Sequence, residues 1–200
     1  MAKLYFRYGA VGSAKTMNLL AVAHNYRQQD KKVLLVKPRL DDRFGENDIK
    51  SRSGLAMKAD VLVDETSSLE AGMLCGQSCI LVDEAQFLST SFVEHLREIA
   101  SNRDIPVICY GLRTDFCTRL FPGSKRLIEL VDAIEEVKIT CVFCNKKGIF
   151  NLKLNNGEPT ISGPVVDLGT EEKYLPTCPK CYERSLGEIP PSSDVKIERN

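Results

Sequence analysis

Apolar residues fall along this chain in short blocks whose periodicity alternates. Leu4, Tyr5 and Phe6 make a brief strand that runs straight into a Gly-rich turn. From residue 15 to about 29, Leu19, Leu20, Val22, Ala23 and Tyr26 recur at roughly helical spacing. Val33, Leu34, Leu35 and Val36 form a continuous apolar run, the pattern of a strand buried on both faces of a parallel sheet, and Pro38 ends it. Residues 39–58 are polar and broken by Gly45 and Gly54, which predicts a long loop. In a compact domain such a loop is more often functional than incidental. A short strand over residues 61–63, a short helix over 68–74 and a second buried strand over 79–82 follow. Phe92, Val93, Leu96 and Ile99 mark an amphipathic helix over 89–100, and residues 107–111 another buried strand. A helix over 124–131 leads to a stretch, 133–139, suited to the sheet edge. This order predicts an α/β fold, a twisted, mostly parallel sheet with helices on both faces.

Composition narrows the class. With 200 residues, 43% of them hydrophobic and 27% charged, the chain supports one α/β core and a smaller appendage. Its 27 basic and 27 acidic residues cancel, leaving no overall electrostatic footprint for nucleic acid or an anionic membrane. The start of the chain lacks a signal-sequence pattern, and no apolar run approaches the roughly 18 residues that span a bilayer. Cytoplasmic localisation is the expectation.

Three groups of residues carry candidate chemistry. The turn after the first strand reads Gly9-Ala10-Val11-Gly12-Ser13-Ala14-Lys15-Thr16. It matches the G-x-x-x-x-G-K-[ST] phosphate loop except at Ala14, where glycine is expected. Between a strand and a helix, such a loop cradles phosphate oxygens with backbone N–H groups. Lys15 would pair with the outer phosphates and the Thr16 hydroxyl would be a ligand of Mg²⁺. The plainer alternative is an ordinary turn before a helix that carries a surface lysine. A Cβ at Ala14 costs about 1–2 kcal/mol if the backbone there must be left-handed, which leaves a competent but imperfect site. Asp83 and Glu84 end a buried strand at the edge of the sheet where the loop lies. There Asp83 would hold Mg²⁺ and Glu84 would point at the reacting group. Alternatively, both acids merely open the next helix.

Eight cysteines are too few for a disulfide scaffold and unevenly placed. Cys141, Cys144, Cys178 and Cys181 form two C-x-x-C knuckles, the donor set of a tetrahedral, structural Zn²⁺ site. Free thiols or a redox pair are the alternatives. Between the knuckles, Asn155-Asn156-Gly157 signals a hairpin. The expected organisation is a nucleotide-binding α/β domain over residues 1–139, a zinc-binding domain over 140–186 and a disordered polar tail over 187–200.

Taken together, the motifs resemble the cytosolic, zinc-containing (type II) thymidine kinases, particularly their bacterial members. The resemblance covers about residues 3–185. It rests on the phosphate loop, Asp41-Asp42-Arg43-Phe44, Asp83-Glu84-Ala85-Gln86-Phe87, Tyr110-Gly111-Leu112-Arg113-Thr114-Asp115-Phe116, the cysteine pairs and Tyr174. It implies a P-loop (RecA-like) domain with a small C-terminal zinc-ribbon lasso. It also implies transfer of the ATP γ-phosphoryl group to the 5′-hydroxyl of thymidine or deoxyuridine, with Glu84 as the base. Gly9, Gly12, Ser13, Ala14, Lys15, Thr16 and Asp83 would bind ATP and Mg²⁺, with Asp41 and Arg43 near the phosphates. Val11, Phe87, Leu112, Phe116, Phe121, Gly169 and Tyr174 would line the nucleoside pocket, and the loop over 163–174 would close on the base largely through main-chain groups. In that loop Gly169-Thr170 stands where the family has Gly-Gly, and Asp167 replaces an apolar residue. The resemblance further implies a homotetramer inhibited by thymidine triphosphate, with no nucleic-acid or membrane partner.

Two other readings stay open. One is a P-loop ATP-binding protein whose zinc ribbon binds nucleic acid or a protein partner. The neutral charge and the lack of a basic/aromatic stripe count against it. The other is a kinase-like fold silenced through Ala14.

Overall fold

The computed structural model describes residues 1–41, 45, 47–165 and 173–187. In chain order, β1 (Leu4–Tyr8) leads through the Gly-rich turn to α1 (Lys15–Gln28) and β2 (Lys32–Pro38). A hairpin of β3 (Asp48–Lys50) and β4 (Ala56–Lys58) precedes β5 (Val61–Val63), α2 (Ala71–Leu74) and β6 (Gln77–Val82). A single 3-10 turn (Ala85–Phe87), α3 (Thr90–Asn102), β7 (Val107–Gly111), α4 (Pro122–Leu130) and β8 (Ala133–Glu136) follow. Six strands form one sheet in the order β5-β2-β6-β7-β1-β8. Every pairing in it is parallel, and β8 takes the edge position expected of residues 133–139.

The continuous apolar runs are explained by burial of the sheet on both faces. Leu34 and Val36 of β2 join Leu4, Phe6, Ile80, Val82 and Val107 beneath Phe92, Val93 and Leu96 of α3 and Leu127 of α4. Their neighbours Val33 and Leu35 face the other way, joining Cys79, Leu81, Ile108 and Tyr110 beneath Leu19, Leu20 and Ala23 of α1. Because successive side chains alternate, a strand covered on both sides needs apolar residues at every position.

The stretch over 39–58 is not wholly a loop. Its second half folds into the β3–β4 hairpin, with Asp48 opposite Lys58 and Lys50 opposite Ala56. One buried residue, Ile49, packs against the α1 face, too few to produce a readable period. Lys37, fully buried on β2, holds the base of the hairpin by donating to the carbonyls of Asp48 (2.8 Å) and Gly45 (3.3 Å). Two helices differ at their starts. The α2 helix begins at Ala71 because Glu70 is still extended (ψ 153°). The α4 helix begins at Pro122, whose missing N–H costs nothing at a first helical position.

The C-terminal lobe consists of short antiparallel pieces. These are β9 (Ile139–Thr140) with β10 (Lys147–Gly148), then β11 (Phe150–Asn155) between β12 (Glu158–Thr160) and β13 (Tyr174–Thr177), and finally α5 (Pro179–Leu186). Asn156 and Gly157 turn β11 into β12 with φ of 52° and 83°, the two positive values that a tight hairpin turn requires. The tail beyond Gly187 lies outside the described residues.

Candidate active site

The parallel sheet brings the ends of β1 and β6 to one edge, on either side of β7. From β1 the chain enters the phosphate loop at Gly9, where a Cβ would lie 2.4 Å from both the Ser13 hydroxyl and the Val137 carbonyl, so only glycine fits. Ser13 N–H donates to Ala10 O (3.2 Å) and closes the turn. The Lys15 ammonium sits in the concavity, donating to the carbonyls of Gly9 (3.0 Å) and Ala10 (2.9 Å). Ala14 adopts φ 63°, ψ 25° at the start of α1. This is the left-handed conformation that makes glycine the usual occupant.

From β6 the chain delivers Asp83, whose carboxylate accepts from the Thr16 hydroxyl at 3.1 Å. Thus the first turn of α1 and the end of β6 meet where the loop closes. Burial pushes the Asp83 carboxyl up to about 7, helped by the adjacent Glu84 charge and opposed by the Thr16 hydrogen bond. A cation bound between Thr16 and Asp83 would compensate that burial, so this pair fits a Mg²⁺ site.

Glu84 itself is left-handed (φ 48°, ψ 40°), which turns it off the line of β6. Its carboxylate accepts from Gln86 Nε2 at 2.5 Å, while Gln86 Oε1 accepts from Leu112 N–H at 2.9 Å. Gln86 is buried, and the space for it exists because Gly111 has no side chain: a Cβ there would stand 2.7 Å from Gln86 Oε1. In the sequence Gln86 stands within the Asp83–Phe87 motif, and its residue type alone assigns it no role.

A cavity of about 240 Å³ opens between these elements. Residues 11–16, Asp41, Asp83, Glu84 and Leu112 line it, together with residues 50–53 of the hairpin. Asp41 is buried beside Lys37 (3.6 Å). Arg43 lies outside the described residues.

The expected nucleoside-pocket residues gather in two aromatic pairs. Phe87 and Phe121 meet edge to face at 5.8 Å, and Phe116 and Tyr174 tilt together at 6.4 Å. Val11 and Leu112 line the cavity described above. Gly169, Asp167 and Thr170 lie outside the described residues, as does most of the expected closing loop. Two residues of β11 that sequence reasoning passed over hold this region. Lys153 places its ammonium 4.5 Å from the centre of the Phe116 ring and donates to Pro164 O. Asn151 accepts from Val11 N–H (2.8 Å) and donates to Thr114 O (3.0 Å), joining the lobe to the phosphate loop. Neither stood out, because a polar residue in a half-exposed hairpin carries no signal until its partners are known.

The sulfurs of Cys141, Cys144, Cys178 and Cys181 all lie within 4.8 Å of one another. Cys144 is 3.6 Å from Cys178 and 3.8 Å from Cys181. Tetrahedral zinc with Zn–S bonds of about 2.3 Å has S···S edges of about 3.8 Å, so the set fits that ion. Burial pushes the Cys141 thiol up, but N–H groups of Cys178 and Phe143 outweigh it and bring Cys141 down to about 6. The N–H of Cys181 likewise lowers Cys178, whereas burial pushes Cys181 itself up to about 12. The lobe therefore favours thiolate at some of its sulfurs before any ion binds, and a cation would supply what the others need.

Among the described residues, no helix is long and apolar enough to cross a membrane. The family model for thymidine kinase matches residues 2–182. The thymidine kinase of Lactiplantibacillus plantarum is 44% identical over 184 residues, covering 91% of this chain and 96% of that protein. Those of Enterococcus faecalis (42%; 91% and 95% covered) and Shouchella clausii (40%; 92% and 97% covered) are similar over the same extent.

Proposed function

The chain belongs to the thymidine kinase family, and from that premise we propose how its own residues carry the reaction, phosphorylation of the thymidine 5′-hydroxyl by ATP in nucleotide salvage. The observation that carries the proposal is the meeting of the phosphate loop, the Thr16–Asp83 pair and Glu84 in one cavity. Phosphoryl transfer asks of a protein chiefly positioning, cationic charge and a carboxylate near the nucleophile.

Backbone N–H groups where the phosphate loop turns into α1 hold the phosphates, and Lys15 leaves its carbonyl partners to follow the outer ones. Thr16 and Asp83 would hold Mg²⁺, which when bound would neutralise charge on the ATP phosphates. Asp41 and Arg43 support the same end. Glu84 takes the proton of the 5′-hydroxyl as that oxygen bonds to the γ-phosphorus. The bond to the β-phosphate oxygen breaks and its electron pair leaves with ADP. Gln86 donates to Glu84 and so orients the carboxylate that lines the cavity.

Val11, Phe87, Leu112, Phe116, Phe121, Gly169 and Tyr174 receive thymidine or deoxyuridine. The four cysteines would hold a structural Zn²⁺, which would tie off the lobe over 140–186, next to the nucleotide-binding domain over 1–139. Cytoplasmic localisation, homotetrameric assembly and inhibition by thymidine triphosphate complete the proposal; sedimentation and inhibition assays test the last two. The primary test is direct. Purified protein with MgATP should convert thymidine to its monophosphate, and equal turnover of purine deoxynucleosides would defeat the pocket assignment.

A further inference from the structure

The cavity has a second wall that none of the roles above uses. Opposite the phosphate loop stand Lys50, Ser51, Arg52 and Ser53 at the tip of the β3–β4 hairpin. We propose that this tip is a phosphate clamp, in which Arg52, assisted by Lys50, closes on the outer phosphates of ATP from the side facing Lys15. The inference rests on the ATP-binding reading above.

The tip is built rather than loosely placed. Ile49, 1% exposed, anchors β3 in the core beneath α1. Lys37 secures the base of the hairpin through Asp48 O, and Lys58 pairs with the Asp48 carboxylate at 2.8 Å. At the tip, Ser51 donates from both its N–H (2.8 Å) and its hydroxyl (3.2 Å) to Leu55 O. Gly54 N–H returns to Ser51 O at 3.0 Å, with Gly54 at φ +90°. These bonds fix the backbone from which Lys50 and Arg52 extend.

Direction follows from Gly12. A Cβ on Gly12 would lie 3.4 Å from Arg52 Nη1, so the guanidinium reaches across the cavity to the phosphate loop itself. Charge balance explains the need. The same cavity holds Asp41, Asp83 and Glu84, while on the loop side Lys15 supplies the cation. A triphosphate adds several further negative charges, and during transfer they spread over the oxygens of the γ-phosphoryl group. A guanidinium presents two N–H groups in a fixed fork that matches two phosphate oxygens, and it never loses its proton. Placed opposite Lys15, it can follow charge that the loop meets from one side only.

The test measures binding of ATP, ADP, AMP and thymidine by calorimetry, and steady-state turnover, for the wild type and for Arg52→Ala, Arg52→Lys and Lys50→Ala. Selective binding of ATP and thymidine by the wild type establishes the underlying reading independently of the variants. Arg52→Ala should then lose about tenfold or more in ATP affinity, less in ADP affinity and nothing in AMP or thymidine affinity, with kcat also reduced. Arg52→Lys should recover part of the loss, and Lys50→Ala should show a smaller loss of the same order among nucleotides. ATP affinity within twofold of the wild type for Arg52→Ala overturns the clamp. So does an equal loss for all three nucleotides and thymidine, since that reports a collapsed hairpin rather than a missing phosphate contact.

Discussion

The sheet domain and the C-terminal lobe are held together by different means. In the first, apolar side chains fill both faces of a six-stranded sheet. In the second, among the described residues, Leu152, Pro176 and Tyr182 are the buried apolar side chains besides the cysteines, and three of those cysteines make the lobe's own buried cluster. A segment this small cannot bury enough surface to offset its conformational entropy, so a cross-link must replace the core. On the proposed reading, the phosphate chemistry is seated on the apolar sheet scaffold, while part of the nucleoside site would depend on a metal-tied lobe.

The sharpest test of this division removes the chemistry and leaves both scaffolds intact. Glu84→Gln should lower kcat by about a hundredfold or more with little change in thymidine KM, because the amide keeps the shape but cannot take the proton. A fully active variant would remove Glu84 from the mechanism. Next in size, Cys178→Ala should abolish stoichiometric zinc, measured by elemental analysis, and weaken thymidine binding about tenfold or more, with ATP binding affected less. Equal losses for both ligands would break the comparison, since they would show that the lobe supports the phosphate site as much as the nucleoside site.

Ala14→Gly probes strain inside the sheet domain. Ala14 is left-handed at φ 63°, so removal of its Cβ should lower the ATP KM, or raise turnover, by up to about tenfold and leave thymidine affinity unchanged. A glycine variant that binds ATP no better would show that the loop has adapted to alanine. The smallest effect concerns pH. The Asp83 carboxyl sits near 7 in the folded chain against about 4 when unfolded, so the folded state holds this proton more tightly. The resulting stability is complete below pH of about 4 and is lost as pH rises through 7. In Mg²⁺-free buffer, Asp83→Asn should thus gain on the wild type by a few degrees in Tm between pH 5 and 8. A constant difference across that range would contradict the burial of charge at Asp83.

What could be read from the sequence follows the same division. Residues 33–36, 79–82 and 107–111 are apolar at every position because both faces of their strands are covered, and that pattern needs no partner to be recognised. The cysteine knuckles and the Asn156-Gly157 turn are equally local signals. The β3–β4 hairpin escaped because Ile49 is its single buried apolar residue. Gln86, Asn151 and Arg52 escaped for a different reason. Each acts on a group brought near by folding, and their residue types alone are those of any polar surface. At Ala14 only a condition is legible, a penalty if the backbone is left-handed, and the observed torsions meet it.

The hydrogen bond from Val11 N–H to Asn151 joins residues 140 positions apart. That separation orders events in time as well as in space. The phosphate loop leaves the ribosome before this partner, which emerges only after the whole sheet domain has been made. At synthesis rates of about 5–20 residues per second, the interval is on the order of ten seconds. Throughout it, a nascent chain can assemble its parallel sheet while the loop still lacks this contact from β11. The contact thus reports that translation has passed β11, and a chain interrupted before it carries the phosphate-loop sequence without this bond.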